Sequence, residues 1–276
     1  MVCSPSRFTI AQSRATNGNE SRTADTVTRT KSVALSAFGL AGFLLIWELV
    51  PGLGLVPATI LPPPSALPGA FLSEIRNGIW LSALSRSLSH YLAGLTIGCV
   101  LGVSLGIFTG LWMPLEATLA WVVRILRPIP GLAWVPFAIL WFGIAPAAAI
   151  FIISTGVFWI SYFAALGAVR AVDRELIELA DAFGFRRADQ KLFKVILPAA
   201  TPGILVGVRT ALGQAWMAVV AAEIFGVPGL GQRMMQASNL LASDIVVVYM
   251  ATMAAAYGAI DSIFVAVQSW LLRWKR

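Results

Sequence analysis

The sequence predicts an all-α membrane protein with about six transmembrane helices. Of its 276 residues 58% are hydrophobic and only 12% charged, against roughly a half and a quarter in an ordinary soluble domain. The mean hydropathy of +0.81 agrees. The apolar residues fall into six segments, at about 33–50, 80–109, 115–143, 146–168, 199–225 and 245–270. At ~1.5 Å per residue each can cross about 30 Å of hydrocarbon. Residues 87–115 and 128–169 carry no Asp, Glu, Lys or Arg. Helices are the default spanning structure because backbone groups in lipid must be satisfied within the segment. A disordered chain is excluded, and the apolar surplus argues against a water-soluble globule.

Residues 1–32 are polar and rich in Ser, Thr and Arg, with no apolar stretch of secretory length. They read as a disordered cytoplasmic tail ahead of a transmembrane domain over 33–272. Sidedness follows from Lys and Arg. The tail, the segment 170–198 and the C-terminus (Arg273, Lys275, Arg276) together hold fourteen of the 20 basic residues, whereas 51–79 and 226–244 hold only Arg76 and Arg233. With six spans the basic regions share one side, so both termini are expected in the cytoplasm of a multi-pass membrane protein, and the resemblance given below implies the bacterial inner membrane. Topology thus accounts for the net charge of +7, and no nucleic-acid partner is needed. Cys3 and Cys99 make no disulfide framework, and a single histidine, His90, cannot supply a zinc site. No metal is expected.

The second segment repeats glycine every fourth residue, at Gly94, Gly98, Gly102, Gly106 and Gly110. Small residues at this spacing let another backbone approach closely. Helix packing is favoured over a dedicated dimer face, and the drift of a four-residue spacing around a 3.6-residue helix would share the seam among several neighbours. Gly102-Val103-Ser104-Leu105-Gly106 matches a hydrolase pattern but lies within an apolar helix, without the required elbow. No catalytic residue is expected, and no G-K-[ST] loop for ATP exists.

Pro128, Pro130 and Pro136 interrupt the third segment around Trp134. Either a kinked structural helix or a broken helix lining a substrate path fits, the latter with Pro130, Trp134 and Pro136 on the path. Arg209 and Glu223, the other candidates for the substrate path, lie fourteen residues apart on the fifth segment, too far to pair. Arg209 could hold an anionic solute or pair with an acid such as Asp261. Pairing is favoured, since intramembrane charges usually find partners first.

The segment 170–198 is amphipathic. Asp173 can cap a helix through Phe183, on which Leu176, Ala180 and Phe183 form one apolar stripe beside Ile177. Gly184 suits the left-handed position that ends a helix, and a second short helix at about 188–196 leads to Leu197-Pro198. Such an element among short loops is suited to docking a partner. An interfacial helix on lipid fits less well, because five acids dilute its basic charge.

Glu178-Leu179-Ala180-Asp181-Ala182-Phe183-Gly184 followed by Ile196-Leu197-Pro198 resembles the EAA loop of bacterial ABC importer permeases, E-A-A-x-x-x-G and then I-x-L-P. Leu179 replaces the first Ala, and the stretch from Gly184 to Pro198 is one residue longer than the pattern's. Leu61-Pro62-Pro63-Pro64-Ser65, the stretch 126–146 and Ala221-Ala222-Glu223 resemble the nitrate/sulfonate/taurine branch. The likeness covers about 35–272. It implies a permease subunit importing a small, anionic solute, with a cytoplasmic coupling loop between spans four and five (Leu176, Glu178, Ala180, Asp181, Phe183, Gly184, Leu197, Pro198). The implied partners are a second copy, two cytoplasmic ATPase subunits that carry the ATP and Mg, a periplasmic or lipid-anchored binding protein, and membrane lipid. This chain itself would bind no cofactor. The competing class is an ion-coupled secondary transporter using Arg86, Arg209, Glu223 and Asp261. The inverted repeat usual there is not visible in this sequence.

Overall fold

The structure is a computed structural model that describes residue 35 and residues 38–185 and 187–273. The tail 1–32, Arg186, Lys275 and Arg276 lie outside the described residues. Two compact units divide the chain after Ala66. The first holds α1 (Phe38–Gly52), where the sequence predicts a span over 33–50. Residue 35 is also helical, and the described run 38–52 is ~22 Å long at ~1.5 Å per residue. The proline-rich stretch folds back on it. Trp47 Nε1 donates to the Pro62 carbonyl at 3.0 Å, and the Ser65 backbone N–H and Oγ donate to the Glu48 carboxylate at 3.1 and 2.7 Å.

The second unit is all helix among its described residues: α2 (Leu67–Arg76), α3 (Ile79–Leu111), α4 (Met113–Leu126), α5 (Val135–Phe142), α6 (Pro146–Arg170), α7 (Arg174–Ala182), α8 (Ala188–Lys191), α9 (Leu197–Ile224), α10 (Leu230–Asn239) and α11 (Ser243–Leu271). Helices α3, α6, α9 (with the run leading into it from Ala188) and α11 are each long and apolar enough to cross a membrane. The predicted third span is not one helix. Instead α4 and the stretch Gly131–Phe142 meet at 83°. α4 ends two residues before Pro128, and Pro130 is extended (ψ 146°) ahead of a 3-10 turn at Gly131–Trp134. Pro136 lies in the first turn of α5, where its missing N–H costs nothing. The prolines therefore punctuate the chain and do not kink a continuous helix.

The glycine repeat meets a single neighbour. A Cβ at Gly94, Gly98, Gly102, Gly106 or Gly110 would strike Ile153, Val157, Ser161, Ala165 or Val169 of α6 respectively. This corrects the expectation of several neighbours sharing the seam. The i, i+4 row is inclined to its helix axis, and α6 follows that row. The constant offset of the pairs means that α3 and α6 run parallel. From the end of α3 the chain must return the length of the bundle to begin α6, so α4 and α5 together make one broken traverse. α9 is antiparallel to α6, since Gly203 opposes Ala168 and Gly207 opposes Ala164. α11 in turn is antiparallel to α9, pairing Arg209 with Asp261 and Gly213 with Tyr257.

This order places α7, α8, Arg170, Arg187, Lys191, Lys194 and Arg273 at one end of the bundle, with α2, α10, Arg76 and Arg233 at the other. At the basic end Arg170 pairs with Glu116 of α4. At the far end Arg233 forks onto buried Glu74, Nη2 to Oε1 at 2.7 Å and Nε to Oε2 at 3.1 Å, and Tyr249 OH donates to Oε2 at 2.7 Å. This clasp ties α2, α10 and α11. The Arg233 hydrogen bonds, helped by Tyr249 and opposed by burial, hold the Glu74 carboxyl below its ordinary 4.5. Such a group stabilises the fold fully above its unfolded value, and the contribution is lost as pH falls through the lowered folded value. Detergent-solubilised protein should therefore lose Tm as pH falls below about 4.5, and Glu74→Gln should start lower and flatten that part of the profile.

Candidate functional site

The segment 170–198 is built on two anchors. Ala180 is only 4% exposed, and Ile196 packs with Val169 and Ala200 at the feet of α6 and α9. The predicted stripe of Leu176, Ala180 and Phe183 is split by this anchoring. Ala180 turns inward with half-buried Ile177, while Leu176, Leu179 and Phe183, the last 73% exposed, form the outward apolar face. Positions i, i+3 and i+7 fall on one side of a helix. Leu179, the departure from the family's alanine, belongs to that face. Glu178 and Asp181 are exposed beside it, and Asp181 pairs with Lys191 of α8 at 2.7 Å.

Asp173 occupies the N-cap position of α7, but its side chain makes no capping hydrogen bond. The C-terminal end is firmly made. Gly184 has φ +86°, its N–H donates to the Asp181 carbonyl at 3.1 Å, and the Phe185 N–H donates to the Ala180 carbonyl at 2.9 Å. This is the Schellman pairing that a left-handed glycine permits. The predicted second helix over 188–196 is a single α turn followed by a π-helical turn at Leu192–Ile196. A π turn takes one residue more than an α turn. Leu197 and Pro198 then open α9, Leu197 half-buried and Pro198 exposed.

The candidate path residues occupy three environments. Pro130 and Pro136 are exposed, and half-buried Trp134 packs against Phe137 and Phe151. Its Nε1 is buried with no hydrogen-bond partner among the described residues. Glu223 is fully buried. Its Oε2 accepts from Ser87 Oγ and from the Gly231 N–H, both at 2.9 Å. The Leu230 N–H donates to Ser87 Oγ at 2.9 Å, and His90 Nδ1 lies 3.3 Å from Oε1. A Cβ at Gly229 would land on the carboxylate, so the glycine lets the 226–231 turn close over it. This joint fastens α3, α9 and α10. Arg209 forks onto Asp261, Nε to Oδ1 at 3.0 Å and Nη2 to Oδ2 at 2.9 Å.

Sequence reasoning did not assign Ser87 or His90 a partner, nor join Glu74, Arg233 and Tyr249. The glycines at 229 and 231 so soon after Glu223 were the available signal for the first joint. For the clasp no local pattern exists, because its members come from three separated helices.

Residues 100–276 match the family described as "Binding-protein-dependent transport system inner membrane component". The Escherichia coli K12 protein named as an aliphatic sulfonates transport permease, SsuC, is 39% identical over 209 residues, covering 75% of this chain and 79% of that protein. The taurine transport system permease protein TauC of the same strain is 32% identical over 230 residues, covering 81% and 83%. Among solved structures, an inward-facing MetNI methionine ABC transporter aligns with TM-score 0.56 and 24% identity over 68% of this chain and 95% of that chain. At that identity the likeness speaks to fold.

Proposed function

The chain belongs to the binding-protein-dependent transport system inner membrane component family, and from that premise we propose that residues 171–198 dock a cytoplasmic ATPase and couple it to a solute path. The chain is the non-catalytic transmembrane subunit of an ABC transporter. The exposed Leu176, Leu179 and Phe183 face carries the reading. An apolar face held on a capped helix at the most basic end of a membrane bundle is surface that a partner groove can cover. Two copies of the chain enclose the path, two ATPases hold the ATP and Mg, and a binding protein delivers the solute at the opposite end. The distribution of Lys and Arg favours both termini in the cytoplasm. The names of the sulfonate and taurine relatives favour a small anion as the solute.

The mechanism follows from the anchors. ATP draws the two ATPases together, and α7 moves with its groove. Ala180 and Ile196 pass that displacement to α6 and α9 as rigid rods, so the bundle rocks between inward- and outward-facing states. Burying one large apolar side chain contributes ~1.5–3 kcal/mol. Replacing Leu179 and Phe183 with Asp should therefore weaken ATPase docking by about a hundredfold or more, while the chain still inserts. Copurification of the ATPase with tagged permease measures this. Undiminished copurification of the double variant would remove the docking assignment.

A further inference from the structure

One face of α9 and α11 is built unlike the rest of the bundle's outer surface. Arg209 and Asp261 sit well inside their helices, and the nearest charges along the chain are Lys194 and Glu223 on one side, Asp244 and Arg273 on the other. Their fork is nevertheless turned outward, with side chains 49% and 28% exposed. An ion pair at this depth is costly against lipid and is found facing protein or a water-filled cavity. Beside it runs an open groove of about 530 Å³ that includes Trp216, Met217, Met250, Met253, Ala254 and Tyr257. Arg209 and Gly213 of α9 oppose Asp261 and Tyr257 of α11, so groove and ion pair form one strip along both helices. Methionine walls are adaptable and hold no solute by hydrogen bonding. Apart from Tyr257 and Trp216, which carry an O–H and an N–H, the strip therefore offers one charged station on an apolar surface.

Building on the permease function above, we propose that this strip is the wet wall of the solute path, with Arg209 its anion contact and Asp261 the internal competitor that an arriving anion displaces. Nε and Nη2 are engaged with Asp261, which leaves Nη1 outside the pair to make the first contact. A guanidinium fork suits the planar or trigonal oxygens of a carboxylate or sulfonate. When no solute is present Asp261 neutralises the guanidinium, so the path carries no bare charge.

The test uses the full transporter, chain and ATPases together, in membrane vesicles. Cys3 and Cys99 are replaced, and Ala254→Cys supplies a reporter on the groove. The probes are two water-borne thiol reagents, sulfonatoethyl methanethiosulfonate and its cationic trimethylammonium counterpart. Both should label the reporter. The anionic-to-cationic rate ratio should fall about threefold or more with Arg209→Gln and rise by a similar factor with Asp261→Asn, as a unit charge roughly 10 Å away, seven residues along α11, requires. Joint neutralisation, Arg209→Gln with Asp261→Asn, should remove both departures. A reporter silent to both reagents, covered by lipid or by a second copy, overturns the proposal. So does a ratio that neither single variant moves. ATPase copurification is followed in parallel. Its retention with a silent reporter refutes the wall alone, whereas its absence from the parent transporter refutes the docking function.

Discussion

Gly184→Val is expected to leave the chain inserted in the membrane while abolishing solute uptake and releasing the partner ATPase. Gly184 holds φ +86°, a region that costs an ordinary residue roughly 1–2 kcal/mol and a β-branched one more. Nothing lies within 4 Å of where its Cβ would be, so the penalty is one of backbone conformation and not of space. Valine would leave the left-handed region and break the hydrogen bonds from Gly184 to Asp181 and from Phe185 to Ala180. α7 would then extend or re-aim, and Leu176, Leu179 and Phe183 would miss their groove. The open space gives the argument a sharp control. Asparagine tolerates the left-handed conformation, so Gly184→Asn should retain most uptake. Glu178→Ala should be milder than valine at 184, costing about 1–3 kcal/mol if Glu178 makes one charge-assisted contact. Uptake and copurification measured across the three variants decide the matter. Valine behaving like asparagine would show that the bend has no coupling role.

What the sequence disclosed follows from the range of the forces involved. Apolar run length and charge-free stretches report burial in lipid directly, and they locate α3, α6, α9 and α11 to within a few residues. Gly184 was readable because only a backbone preference was at stake. The break at Pro128 and Pro130 was visible, but its 83° bend was not, because a proline marks where a helix stops and not the direction in which the next one starts. Leu179 shows a related limit. Helical periodicity placed an apolar stripe on α7 but could not say which edge of it would be buried: Ala180 is enclosed, whereas Leu179 is left outside. Glu223 and Arg209 looked alike as intramembrane charges. One is locked under a glycine turn and the other is paired on an open face, a difference set entirely by residues distant in sequence.

The glycine seam itself yields the second large effect. Gly102→Val is expected to prevent accumulation of folded protein, as judged by a monodisperse peak on gel filtration in detergent. A Cβ at Gly102 would stand 2.5 Å from the Phe158 carbonyl oxygen and 3.1 Å from the Tyr162 backbone nitrogen. Backbone cannot rotate aside, so α3 and α6 must separate along the whole seam, at well above the 1–3 kcal/mol typical of overpacking. Gly167→Val, on α6 with nothing within 4 Å, is the control and should accumulate normally. Compensation separates the two kinds of close approach in this bundle. At Gly207 the obstacle is chiefly the Ala164 side chain, so Ala164→Gly should rescue Gly207→Ala. At Gly102 the obstacle is chiefly main chain, so Ser161→Gly should not rescue Gly102→Ala. Rescue at both positions would mean that α3 and α6 are held apart by side chains, and that the four-residue repeat does not set their spacing.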